Sequence, residues 1–195
     1  MRIVAVVLAA GEGRRVGGPK ALLRIRGETF LARTVSALTR PGIAGVLAVL
    51  GCDARRVAGE AGLPSTVEIV VNERWREGML SSILAGLGAA ERMKADAIMI
   101  HAVDHPFVES ETVDAVAAAL TAGARVAVPV FEGQRGHPAG FAHPAWEALR
   151  LAPRDRGARA VLAAHPDWVA HVPSGPGCVE QVNTLEDLER LADRL

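Results

Sequence analysis

The chain has 195 residues, 50% hydrophobic and 23% charged, a balance that excludes a disordered polypeptide and allows a sizeable buried core. Its 22 basic and 22 acidic residues cancel, which argues against a bulk basic surface for nucleic acid but leaves room for a local anion site. Two cysteines, Cys52 and Cys178, lie far apart with no Cys-x-x-Cys or zinc-type spacing, the pattern of a reduced, cytoplasmic protein.

The first predicted element is a strand over Ile3–Leu8, whose apolar run ends at Ala10. The run is short and leads into Glu12, Arg14 and Arg15 rather than a small-residue cleavage site, so it does not read as a signal peptide. No stretch approaches the roughly 20 apolar residues of a membrane span, and no membrane partner is expected. The turn that follows, GEGRRVGGPK, fits neither familiar phosphate motif. Gly13 and Gly18 have Walker A spacing, but Pro19 intrudes before Lys20 and Ala21 replaces the metal-binding hydroxyl. Gly11 and Gly13 open a dinucleotide fingerprint, but Val16 stands where the third glycine belongs, which disfavours a nicotinamide oxidoreductase. Bare backbone beside Arg15 and Lys20 nonetheless suits a phosphate chain. A glycine-rich turn with solvated basic residues is the alternative.

A helix over Phe30–Thr39, a strand over Val46–Leu50, a helix over Ala54–Ala61 capped by Asp53, and a strand over Val67–Val71 come next. Gly78, Ser81 and Ser82 precede a helix over Ser82–Arg92 whose Ile83, Leu84 and Leu87 face the core. Its N-terminus suits an anion or a base edge; ordinary capping by Ser81 or Ser82 explains the serines equally well. A strand over Ala97–Ile100 runs out into Asp104-His105-Pro106. A carboxylate just beyond a parallel strand sits at the mouth of the binding crevice. Beside a triphosphate it needs an intervening cation, and magnesium is the natural one; a plain turn before Pro106 is the alternative.

A helix over Glu111–Ala122 with Ser110 as cap and a strand over Val126–Val130 complete the regular alternation. Gly133 and Gly136-His137-Pro138 then signal a hairpin. Arg135 and His137 there either hold a second phosphate-bearing substrate or are exposed tips. Helical segments over Pro144–Leu151 and Ala158–Ala164 follow. Thr184-Leu185-Glu186-Asp187 reads as a capping box opening a last helix with a Leu185, Leu188, Leu191, Leu195 stripe. Near-continuous apolar strands alternating with helices predict an α/β fold: a mostly parallel sheet covered on both faces, with a small antiparallel excursion. Without a linker or repeat, residues 1–195 read as one domain.

The stretch Leu8-Ala9-Ala10-Gly11-x-Gly13-x-Arg15-x-Gly17-x-x-Lys20 resembles the signature of MobA-like nucleotidyltransferases. The resemblance extends over nearly the whole chain. The N-x-x-W-x-x-G-M-x-x-S run of residues 72–82 and Arg135-Gly136-His137-Pro138 are similar to the molybdopterin cytidylyltransferase branch. The resemblance implies a Rossmann-like, three-layer α/β/α nucleotidyltransferase domain that moves a nucleoside monophosphate, CMP from CTP, onto the phosphate of molybdopterin and releases pyrophosphate. It implies Arg15, Lys20 and Asp104 as catalytic. It places Leu8, Ala9, Ala10, Gly11, Gly13, Arg15, Lys20, Gly78, Ser82, Arg135 and His137 on the substrates. It also makes Asp104 and Asn183 the ligands of Mg2+. Asn183 stands where the family carries an aspartate; its amide oxygen still ligates but brings no charge. His101 and His105 also depart from the pattern and receive no catalytic role. A molybdoenzyme or chaperone is the implied protein partner. A sugar phosphate or other phosphorylated acceptor, and a non-catalytic molybdenum-cofactor carrier, are the competing readings.

Overall fold

The computed structural model describes residues 1–192. In chain order the elements are β1 (Ile3–Ala9), the short β2 (Arg24–Ile25) and β3 (Glu28–Thr29), α1 (Phe30–Leu38), β4 (Ile43–Leu50), α2 (Ala54–Glu60), β5 (Glu68–Val71), α3 (Met79–Arg92) and β6 (Ala97–Ala102). Then come α4 (Ser110–Thr121), β7 (Val126–Phe131), β8 (Gln134–Arg135), β9 (Ala139–Ala142), α5 (Trp146–Arg150), α6 (Ala158–Ala164), β10 (Val169–Pro173) and α7 (Leu185–Ala192). The main sheet runs β10-β7-β9-β6-β1-β4-β5, with β8 paired to β7. β1 lies parallel to both β4 and β6, β5 to β4 and β10 to β7; β9 is inserted antiparallel between β6 and β7. The predicted antiparallel excursion is therefore β8 and β9, and the hairpin turns on Glu132 and Gly133, both at positive φ.

Strand alternation sorts the core into two layers. Ile3, Ala5, Val7 and Ala9 of β1 pack with Phe30, Leu31 and Val35 of α1 and Val113, Val116 and Leu120 of α4. Val4, Val6 and Leu8 point the other way, to Leu80, Ile83 and Leu87 of α3, Trp146 and Leu149 of α5, and Val161 of α6. Burying both faces of β1 is why its sequence is continuously apolar. β5 departs from the expected double cover: it is the sheet edge, and Ile69 and Val71 remain 41% and 57% exposed.

Several helix starts differ from expectation. Asp53 sits at φ 51° and makes no side-chain cap, because a capping side chain needs extended backbone to reach the N–H groups of the first turn. Ser110 is already helical, and Glu109 precedes it in extended conformation. α3 begins at Met79, so Ser81 and Ser82 lie inside the helix rather than capping it. Thr29 caps α1, accepting from Ala32 N–H at 3.1 Å. The last capping box forms as read: Asp187 N–H donates to Thr184 Oγ1 at 3.1 Å and Thr184 N–H to Asp187 Oδ2 at 3.0 Å. Of its apolar stripe, Leu191 is buried and Leu188 half-buried, Leu185 is exposed, and Leu195 lies outside the described residues.

Candidate active site

From β1 the chain moves outward through β4 to β5, then crosses back to β6 on the other side of β1. The connections thus part company at the carboxyl ends of β1 and β6, where doubly wound sheets open a crevice. The loop after β1 is shaped by Gly13, at φ 67°. Val16 and Gly18 N–H both donate to the Gly13 carbonyl, at 3.0 and 3.2 Å, and a Cβ on Gly13 would fall 1.8 Å from the Gly18 oxygen. Only glycine closes this turn. Buried Val16 anchors it, and Pro19 leads into a single helical turn, Lys20–Leu22, that presents Lys20.

Lys20 Nζ donates to Asp104 Oδ2 at 3.0 Å and to Asn183 Oδ1 at 2.9 Å. Three segments far apart in sequence meet at one ammonium. The C-terminal segment is held there because Val182 N–H donates to the Asp104 carbonyl at 2.8 Å, while Gln181 Nε2 donates to Asp104 Oδ2 at 3.0 Å. Burial pushes the Asp104 carboxyl upward, but the charge and hydrogen bond of Lys20, helped by His105 and Gln181, outweigh it and hold the group below its ordinary value.

A cavity of about 630 Å³ opens beside this contact. Leu8, Ala9, Ala10, Gly11, Gly13, Lys20, Gly78, Ser82 and Asp104 all line it. Arg15 is exposed on the same turn but outside the lining, and Arg14, paired with Glu12 at 2.7 Å, lines it instead. Trp75, Arg76 and Met79 also line the cavity; Trp75 and Met79 belong to the N-x-x-W-x-x-G-M-x-x-S run, whereas no motif marks Arg76. Arg76 lies over the Trp75 ring, 4.4 Å from its centroid.

Arg135 and His137 stand outside that lining. Arg135 Nε donates to His171 Nε2 at 3.3 Å on the exposed side, whereas His137 turns inward. Its ring centroid is 4.6 Å from that of His105 and 5.7 Å from that of His101. His101 Nε2 donates to the His105 carbonyl at 3.0 Å, which leaves its Nδ1 an acceptor without a partner; the buried Nδ1 of His105 also has no hydrogen-bond partner among the described residues. Burial first, then mutual repulsion, lowers His101 well below the usual imidazole value and His105 to about 3. Burial likewise lowers His137. The three rings are thus neutral near pH 7. Among the described residues, no group of three or more His, Cys, Asp or Glu could hold a metal ion.

Fold and cavity define a doubly wound α/β protein with its crevice at the carboxyl ends of the central strands, the class that takes nucleotides there. Residues 5–169 match the family of the MobA-like NTP transferase domain, and the chain belongs to that family. It is 34% identical over 203 residues to the nicotine blue oxidoreductase of Paenarthrobacter nicotinovorans, covering 97% of this chain and 96% of that one. It is 30% identical over 207 residues to the molybdenum cofactor guanylyltransferase of Rhodobacter capsulatus, covering 100% and 97%. The Mycobacterium tuberculosis H37Rv protein Rv0371c, solved in complex with manganese, superimposes with a TM-score of 0.78 at 26% identity over all of both chains.

Proposed function

We propose that this chain is a nucleotidyltransferase that moves CMP from CTP onto the terminal phosphate of molybdopterin. One observation carries the reading: Lys20 of the glycine turn meets Asp104 and Asn183 at the edge of the cavity. An oxygen of the acceptor phosphate attacks the α-phosphorus. The bond from that phosphorus to the bridging oxygen breaks, and pyrophosphate leaves with the electron pair. A phosphate nucleophile is already ionised near neutral pH, so the protein's work is positioning and charge neutralisation. Lys20 neutralises the transferring phosphate, and the leaving phosphates run out along the same turn, where Arg14 lines the cavity and Arg15 is exposed beside it. The backbone of Ala9, Ala10, Gly11 and Gly13 lies close along the nucleotide, and Gly78 and Ser82 flank it; the acceptor contacts expected of Arg135 and His137 are not part of this reading, because Arg135 turns to His171 and His137 turns inward to His105.

The residues present fit a divalent cation. A cationic ammonium already sits between Asp104 Oδ2 and Asn183 Oδ1, so these oxygens form a seat for positive charge. Magnesium suits a seat with one carboxylate, since it completes its shell with phosphate oxygens and water. When bound there, it supplies Lewis-acid charge to the phosphates. The manganese complex of the Mycobacterium tuberculosis relative supports a divalent ion in this family.

CTP is favoured by the resemblance of residues 72–82 and of Arg135-Gly136-His137-Pro138 to the cytidylyltransferase branch, and GTP by the name of the Rhodobacter capsulatus relative. The assay is pyrophosphate release from CTP or GTP with molybdopterin or a sugar phosphate and magnesium. We expect release with molybdopterin and a fall of about 10²–10³ in Asp104→Ala, the usual cost of one lost electrostatic contact. No release with any acceptor overturns the reading in favour of a carrier. Similarity to the nicotine blue oxidoreductase supports a second reading, reduction of an organic acceptor. Oxidation of NADH or NADPH in the same preparation, without pyrophosphate, establishes that one instead.

A further inference from the structure

Asn72 lies just beyond β5, is 5% exposed and does not line the cavity. One of its hydrogen bonds nonetheless reaches a residue that does. Asn72 Oδ1 accepts from Arg74 N–H at 3.0 Å, which fixes which way round the carboxamide sits. Its Nδ2 donates to Ser81 Oγ at 2.8 Å and to Ser82 Oγ at 3.0 Å. The two serines then part ways. Ser81 has backbone acceptors for its own proton, the Gly78 carbonyl at 2.8 Å and the Arg74 carbonyl at 3.0 Å. Ser82 lines the cavity, and among the described residues its hydroxyl proton has no acceptor. A hydroxyl carries one proton, and Asn72 already supplies the hydrogen bond that Ser82 accepts. The hydroxyl that lines the cavity is therefore left with a donor to offer.

We propose that Asn72 is a positioning residue that sets the polarity of Ser82, so that Ser82 donates a hydrogen bond to a ring-nitrogen or carbonyl acceptor on the nucleobase. The base end of a nucleotide is the part that suits this wall, because Ser82 shares it with Trp75 and Met79, and its one cation, Arg76, lies over the Trp75 ring, while Lys20 and Asp104 come from the loops after β1 and β6. A buried donor of fixed direction discriminates strongly, since a ligand without the matching acceptor leaves it unpaired. This inference rests on the nucleotide-transfer reading.

The test uses Asn72→Asp and Ser82→Ala, singly and combined, with CTP, GTP and base-free tripolyphosphate as ligands at pH 8 with magnesium. A carboxylate at position 72 accepts from the serines, so it turns the Ser82 proton away from the cavity without changing side-chain size. Each single variant should weaken binding of the nucleoside triphosphates about tenfold, the worth of one buried hydrogen bond. Tripolyphosphate binding should stay within about twofold, and the double variant should be no worse than either single one, as for two parts of one interaction. In turnover the loss should appear in KM with kcat retained. Equal loss of tripolyphosphate, unchanged nucleotide binding, or losses that multiply in the double variant would each overturn the proposal. Ser82→Ala removes a single oxygen from a helix and keeps the test decisive if Asn72→Asp fails to fold. A wild-type protein that binds neither CTP nor GTP overturns the parent reading, whereas failure confined to the variants overturns this one alone.

Discussion

At the scale of single residues, the meeting of Lys20 with Asp104 and Asn183 has two measurable consequences. The ammonium occupies the seat proposed for a divalent ion, and like charges exclude one another there. Lys20→Met should therefore bind Mn2+ more tightly than wild type when no nucleotide is present, while turning over more slowly with nucleotide. A Mn2+ titration followed by electron paramagnetic resonance checks the first part, and equal or weaker affinity in the variant would place the ion elsewhere. The second consequence concerns acid. His101, His105 and His137 are held below their usual pKa by burial. The unfolded chain takes up protons near pH 6.5 that the folded protein refuses down to about 3 at His105. Stability must then fall as the pH drops below 6.5, by at most about 1.4 kcal/mol per pH unit for each such group. Asp104 acts in the same direction over a lower window: its depressed carboxyl stabilises the fold above the ordinary carboxylate range and ceases to do so as acid protonates it. Urea midpoints at pH 7, 6 and 5 should decline in order, and a flat series would mean that the histidines are solvated.

At the scale of elements, α3 carries two glycines with opposite prospects. Gly86 is pressed against β1, and a Cβ there would lie 2.4 Å from Val6 Cγ1. Gly88 has open space around it. Alanine in a helix interior normally gains about 0.5–1 kcal/mol over glycine. Gly88→Ala should realise that gain. Gly86→Ala should instead cost about 1–3 kcal/mol, the range for overpacking a filled core. Denaturant midpoints for the pair check both signs. The elements themselves were largely legible. β1, β4, β6 and β7 read as strands because both their faces are buried, and the hairpin at Gly133 because its turn needs positive φ. Helix starts were less legible. Asp53 and Ser110 have capping side chains, but whether they cap depends on a backbone angle set by the preceding loop, which residue type alone does not report.

At the scale of the whole molecule, nucleotide and metal binding should register as stability. A ligand that binds only the folded state at 100 times its Kd adds about 2.7 kcal/mol. A thermal-shift series should show a larger rise in Tm with nucleoside triphosphate and magnesium together than with either alone; additive shifts would separate their sites. Composition and local pattern by themselves determined the α/β alternation, the glycine turn after β1, the carboxylate after β6 and the last capping box, because each depends on neighbours within a few residues. Only the tertiary structure decided that Lys20 faces Asp104 and Asn183, that Arg14 rather than Arg15 lines the cavity, that three histidine rings cluster beside β6, and that Asn72 reaches Ser82. Those contacts arise where the connections reverse across β1 and where the segment at Val182 returns to β6, and chain reversal brings together residues that no short window of sequence contains.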